Sequence, residues 1–135
     1  MVRVTRHQQR VWALQILYCL DLTGELNLAQ AQKHFRNLRS ANDLDEEDYY
    51  FEEIVEGVIK DLNRFDRIID RQAIDWQIER MAYIDRNILR IALYEMENEI
   101  PVGVAINEAV ELAKEYGDEK SAGFINGILA KVKGE

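Results

Sequence analysis

A chain of 135 residues with 47% apolar and 31% charged side chains is long enough for one compact domain and too apolar to be disordered. No apolar stretch approaches the about 18 residues that cross a bilayer, and a single cysteine excludes an internal disulfide framework and a cysteine-based zinc site. The net charge of −8 is local: ten acids face two bases between Asp43 and Asp66, while the first ten residues hold Arg3, Arg6, His7 and Arg10 and no acid occurs before Asp21.

Helical periodicity runs through almost the whole chain, and no period-2 alternation or Asn-Gly turn marks a strand. A first helix is predicted over about Thr5 to Leu22 and stopped by Thr23-Gly24. A second covers about Leu26 to Leu38, with Leu28, Ala31, Phe35 and Leu38 on one face. Asp45 is the expected N-cap of a third helix, with Glu46, Glu47 and Asp48 at its positive end and Tyr50, Ile54, Val58 and Leu62 spaced by four. Helix continues through Phe65 to Ile74, and a break near Asp75-Trp76 forms the natural seam. The next helix is predicted over about Ile78 to Asn98, with an apolar stripe wide enough for burial on more than one side. Pro101 sets the following start, and Gly117 is expected to end that helix in the left-handed conformation. Asp118 then caps the last helix, whose inner face is Ala122, Ile125, Ile128, Leu129 and Val132.

The fold class is therefore all-α, about seven helices in two small bundles packed together. Residues 1–135 form a single domain, with 1–74 as an N-terminal and 75–135 as a C-terminal helical subdomain. Trp12 and Trp76 are read as core anchors. The Gly123-x-x-x-Gly127 pair predicts close helix contact, and Cys19, in an apolar stretch, predicts a buried structural thiol.

Catalytic and cofactor signals are missing. There is no phosphate-binding glycine loop. The two histidines, His7 and His34, lack metal-ligand spacing, so no metal and no cofactor is expected. Glu46, Glu47, Asp48, Glu52, Glu53 and Glu56 offer i, i+4 pairs, but no Glu-x-x-His partner completes a di-metal site. A solvated acidic face, or a surface for a basic partner, accounts for them. No acid, base and nucleophile set assembles, and the reading is not an enzyme.

The basic end points elsewhere. Arg3, Arg6, His7 and Arg10 share one helical stripe, and Tyr18 lies further along it with a ring suited to stacking on a base. Lys120, Ser121 and Phe124 occupy the start of the last helix, where free backbone N–H groups suit phosphate. The two features make a single-stranded RNA surface if the fold brings them together; a solvated end and an ordinary capped helix are the plain alternative.

Several segments carry a family resemblance. Ile88-Leu-Arg-Ile-Ala-Leu-Tyr-Glu95 resembles a hallmark of the NusB family. So do Ile100-Pro-Val-Gly-Val-Ala-Ile-Asn-Glu-Ala-Val-Glu-Leu-Ala-Lys114, Tyr116-Gly117, Ser121 and Phe124-Ile-Asn-Gly-Ile-Leu129. Arg6 and Arg10 with Ala13-Leu-Gln-Ile-Leu-Tyr18 are similar to the family's arginine-rich first helix. The resemblance covers essentially the whole chain in one order. It implies two helical bundles without catalytic activity. It also implies pairing with NusE, a small-subunit ribosomal protein, and binding of the pair to boxA RNA. That assembly would join the transcribing RNA polymerase complex and support antitermination in ribosomal RNA operons, in the cytoplasm.

By position the RNA role falls on Arg6 and Arg10, with Arg3, His7, Tyr18, Lys120, Ser121 and Phe124 as further candidates. Glu79, Asp85 and the acidic segment compete for the partner surface. The chain departs from the family in having only Arg6-His7-Gln8-Gln9-Arg10 where members often have a denser arginine run. Fewer phosphate contacts predict weak RNA binding without the partner and a shallow salt dependence. The alternatives are an interaction adaptor without RNA binding of its own, and the NusB-like accessory domain of ribosomal-RNA methyltransferases, which the absent methyltransferase module opposes. A monomer and a homodimer both remain open, and no signal peptide is expected.

Overall fold

The computed structural model describes residues 4–73 and 77–135. The expected seam at Asp75-Trp76, the Trp76 anchor and the Arg3 candidate lie outside the described residues. Among those described there are seven α-helices, one short 3-10 turn and no strand. The all-α expectation is met.

Helix α1 (Arg6–Thr23) starts where the Thr5 hydroxyl accepts the Gln8 N–H at 3.0 Å, and ends at Gly24 in the left-handed region, φ 74°. Its apolar stripe is buried through Val11, Leu14, Leu17 and Leu20, and two polar residues, Arg10 and Asp21, are buried with it. Helix α2 (Leu28–Ala41), capped by Asn27, buries only Ala31 and Phe35. Trp12 stands edge-on to Phe51 at 5.5 Å, half-buried against the core as anticipated.

Asp45 does not cap the third helix. Helix α3 (Tyr50–Lys60) begins five residues later, and its Phe51 N–H is taken by the Gln9 side chain of α1 at 3.0 Å. A tertiary cap has replaced the local one. Residues 43–48 instead form a loop held by Arg39, which donates to the Glu47 carbonyl and to Glu52, both at 2.8 Å. Helix α4 (Leu62–Gln72) follows after a break at Asp61.

The predicted Ile78–Asn98 helix is shortened at its start. Ile78–Arg80 form the 3-10 turn, Met81 and Ala82 are extended, and helix α5 spans Tyr83–Met96. The reason is side-chain competition for the backbone. Asp70 accepts the Ile78 N–H at 2.7 Å and Arg86 donates to the Ile78 carbonyl at 3.2 Å, which pins the segment outside the helix. Helix α5 is buried almost all round and packs against α1, α3, α4, α6 and α7. A continuous apolar core joins it to Phe35, Phe51, Phe65, Leu112 and Leu129.

Helix α6 (Val102–Tyr116) follows Pro101, and helix α7 (Ser121–Lys133) packs back along it. Gly117 between them has φ −90°, so the left-handed ending expected there does not occur. Space, not backbone conformation, requires this glycine: a Cβ would sit 2.4 Å from Ser121 Oγ and 2.8 Å from the Ala113 carbonyl oxygen. Gly123 and Gly127 are exposed with nothing within 4 Å of an added Cβ, so the close helix contact expected of them is absent. Cys19 is exposed rather than buried, because it falls on the outward side of α1. No described helix is long and apolar enough to cross a membrane.

Candidate nucleic-acid interface

The three basic residues at the start of α1 have different surroundings. Arg10 is only 4% exposed; its Nε donates to both Glu95 oxygens at 2.9 and 3.1 Å, and its guanidinium also lies 3.6 Å from Glu108. Glu95 in turn accepts a hydrogen bond from the Tyr50 hydroxyl. His7 reaches Glu115 at 2.9 Å through Nε2 and Glu108 at 3.4 Å through Nδ1. Arg6 is exposed, its guanidinium stacked 3.9 Å from the centre of the Tyr50 ring. Among the described residues no carboxylate lies within 4 Å of it. Burial, the Glu95 hydrogen bond and the Glu95 charge push the Tyr50 phenol well above its ordinary range, so it stays a donor.

Tyr18 lies three turns beyond His7 on the same side of α1, and meets Tyr83 edge-on at 6.4 Å. Arg86 stacks on that second ring at 4.2 Å. Two residues along α5, Asp85 lines a cavity of about 450 Å3 together with Arg80, Met81, Ala82, Lys120 and Phe124. Burial pushes the Asp85 carboxyl above the usual carboxylate range, with Ser121 opposing and the Asp118 charge adding; its Oδ1 is buried without a partner. At the α7 start Asp118 Oδ1 accepts the N–H groups of Lys120 and Ser121 at 2.8 and 3.1 Å, while Ser121 Oγ accepts the Asp118 N–H at 3.0 Å. The expected capping role of Asp118 is thus real, and Ser121 is buried and used internally. Lys120 is exposed and Phe124 half-buried at the cavity edge.

Helix α1 is joined to α6 and α5, the helices next to the α7 start. The His7–Glu115 contact sets the first turn of α1 beside the end of α6, five residues before Lys120. The Tyr18–Tyr83 contact sets its later turns beside the α5 start that borders the cavity. Glu79 is exposed on the 3-10 turn, but Asp85 is half-buried in the cavity wall rather than on an outward helix side.

Sequence reasoning missed Tyr50, Glu95, Glu108 and Glu115, because each lies tens of residues from the α1 group that it holds. It also missed a second buried network. Asp21 accepts from Arg86 at 2.6 and 2.7 Å, from Asn87 at 2.9 Å and from Arg90 at 2.9 Å, and Arg90 continues to Asp66 at 2.8 and 2.9 Å. Burial alone would raise the Asp21 carboxyl; the Arg86 and Asn87 hydrogen bonds and the two guanidinium charges outweigh it and hold it below its ordinary value. One signal was available: Arg10 and Asp21 are eleven residues apart, hence on one side of α1, within its apolar stripe.

Among the described residues the structure is all-helical, with buried ion pairs between its helices and a polar face that carries Arg6, Arg80, Lys120 and aromatic rings. The NusB family profile matches residues 7–133. The chain is 62% identical over 130 residues to the transcription antitermination protein NusB of Halothermothrix orenii, covering 96% of this chain and 97% of that one. With the Bacillus subtilis protein of that name the identity is 38%, covering 96% and 95%. Among solved structures, T. maritima NusB has a TM-score of 0.80 at 31% identity, covering 99% of this chain and 94% of that one. The antitermination factor NusB solved with NusE and double-stranded RNA has a TM-score of 0.79 at 27% identity, covering 98% and 100%. The chain belongs to the NusB family.

Proposed function

We propose that this chain is a transcription antitermination factor that binds boxA-type single-stranded RNA together with NusE. On this reading it joins the transcribing RNA polymerase complex on ribosomal RNA operons in the cytoplasm. The reading rests on the His7–Glu115 and Tyr18–Tyr83 contacts, which set α1 beside the helices that border the cavity lined by Lys120 and Phe124. Arg6 and Lys120 supply charge for phosphates, Tyr18 and Phe124 supply rings, and the cavity has room for a base. Arg10, neutralised by Glu95, shapes the face instead of touching phosphate, and Ser121 orders the α7 start. Arg3 would extend the cationic end. NusE supplies contacts beyond the few uncommitted cations near the start of α1 and the cavity, which makes RNA binding cooperative. Its basic surface would meet exposed acids such as Glu79 and the 45–48 loop.

The test is fluorescence anisotropy of a labelled boxA-type RNA titrated with the chain, with and without NusE, at two salt concentrations. Binding should tighten sharply with NusE, weaken with salt, fail with a scrambled RNA and fall in Arg6→Ala without loss of helical content. A folded chain that binds no RNA even with NusE would overturn the reading and leave a protein-only adaptor.

A further inference from the structure

We infer that Tyr50 is a positioning residue for RNA recognition, holding the Arg6 guanidinium in the pose in which it meets a phosphate; the inference rests on the RNA-binding reading above. Arg6 is the one cation of the α1 stripe, among the described residues, whose charge is not paired with a carboxylate. An exposed arginine on a first helical turn ordinarily samples many rotamers, and ordering it on binding weakens the complex. Here a fixed chain of contacts restrains it. Glu95, 1% exposed near the end of α5, is gripped by Arg10 at 2.9 and 3.1 Å and accepts the Tyr50 hydroxyl. That bond fixes the ring, and the ring carries the Arg6 guanidinium at 3.9 Å.

The geometry uses the correct part of each group. A guanidinium over an aromatic ring makes its attraction without using its N–H donors on a carboxylate, so they stay free for phosphate oxygens. The Arg10 guanidinium, 5.8 Å from the same ring centre, cannot do the same, because Glu95 occupies its Nε. Tyr50 is the first residue of α3, so the RNA face takes a member from the N-terminal half that no basic motif marks.

The experiment is a double-mutant cycle read by anisotropy of the labelled boxA-type RNA with the full chain and NusE, helical content being followed by circular dichroism. Tyr50→Leu should weaken binding about two- to fivefold, the range of an exposed cation–π contact. Tyr50→Phe, which keeps the ring, should fall between wild type and Tyr50→Leu. In an Arg6→Ala background Tyr50→Leu should cost nothing further. An equal cost in both backgrounds, or Tyr50→Phe as weak as Tyr50→Leu, would overturn the positioning role. Should Tyr50→Leu fail to fold, Arg6→Lys decides, since it keeps the charge on an exposed site and removes the planar stack. A loss of affinity supports the role and full retention overturns it. A wild-type chain that binds no RNA brings down the antitermination reading and this inference together.

Discussion

Asp21 and Asp85 sit on the same molecule and answer pH in opposite directions. The Asp21 carboxyl is held below its ordinary value by Arg86, Asn87 and Arg90, so its stabilisation is present above the unfolded pKa and disappears as pH falls through the folded one. Asp85 is raised by burial, so folding is favoured with it neutral, and that contribution is lost as pH rises through its folded pKa. Asp21→Ala leaves Arg86 without its carboxylate and Arg90 with only Asp66; it should cost about 3 kcal/mol in urea unfolding at pH 7. That cost should shrink below the ordinary carboxylate pKa near 3.8. Asp85→Asn should instead raise Tm at pH 7, with the gain vanishing in the same acid range. An Asp85→Asn that lowers Tm at pH 7 would show that the Ser121 hydrogen bond to the carboxylate outweighs the cost of burying it.

At the scale of the element, the helices follow the apolar periodicity, while their ends follow tertiary contacts. The start of α3 is capped from α1 by Gln9, and the start of α5 is delayed by Asp70 and Arg86. Glycines divide in the same way. A Cβ at Gly57 of α3 would lie 2.0 Å from the Tyr94 ring of α5, so Gly57→Ala should destabilise by about 1–3 kcal/mol through overpacking. Gly123 is helical with open space around it, and Gly123→Ala should stabilise by about 0.5–1 kcal/mol through helix propensity. Thermal unfolding of both variants checks the pair. Their identical residue type and opposite expected signs make the comparison independent of any general effect of alanine.

For the whole molecule, α5 is the hub, and the α1 polar residues are bound to it at both ends, Arg10 to Glu95 and Asp21 to Arg86 and Arg90. This arrangement removes cations from the face proposed to bind RNA. With Arg6, Arg80 and Lys120 uncommitted among the described residues, the chain alone should show a log–log salt slope of about −2.1, from about −0.7 per neutralised phosphate on single strands. Titration across a salt series measures it, and a slope beyond about −3 without NusE would mean that Arg3, His7 or Arg10 also engages phosphate.

The periodic apolar positions, the Thr23-Gly24 stop, Pro101 and the Asp118 turn were legible in the residues, since each acts within a few positions of itself. So were the basic end and the α7 start as separate candidates, and the family to which the chain belongs. Which cations remain available was not legible. Arg6, His7 and Arg10 are equivalent on a helical wheel, yet Glu95, Glu108, Glu115 and Tyr50 separate them from 40 to more than 100 residues away. Nor did local pattern reveal that Cys19 faces outward or that Gly123 and Gly127 meet nothing. A chain's local pattern determines which side of a helix is apolar, because burial is favoured wherever that side finds cover. Only the packed structure decides what covers it, and therefore which charges are paired and which are left exposed to a ligand.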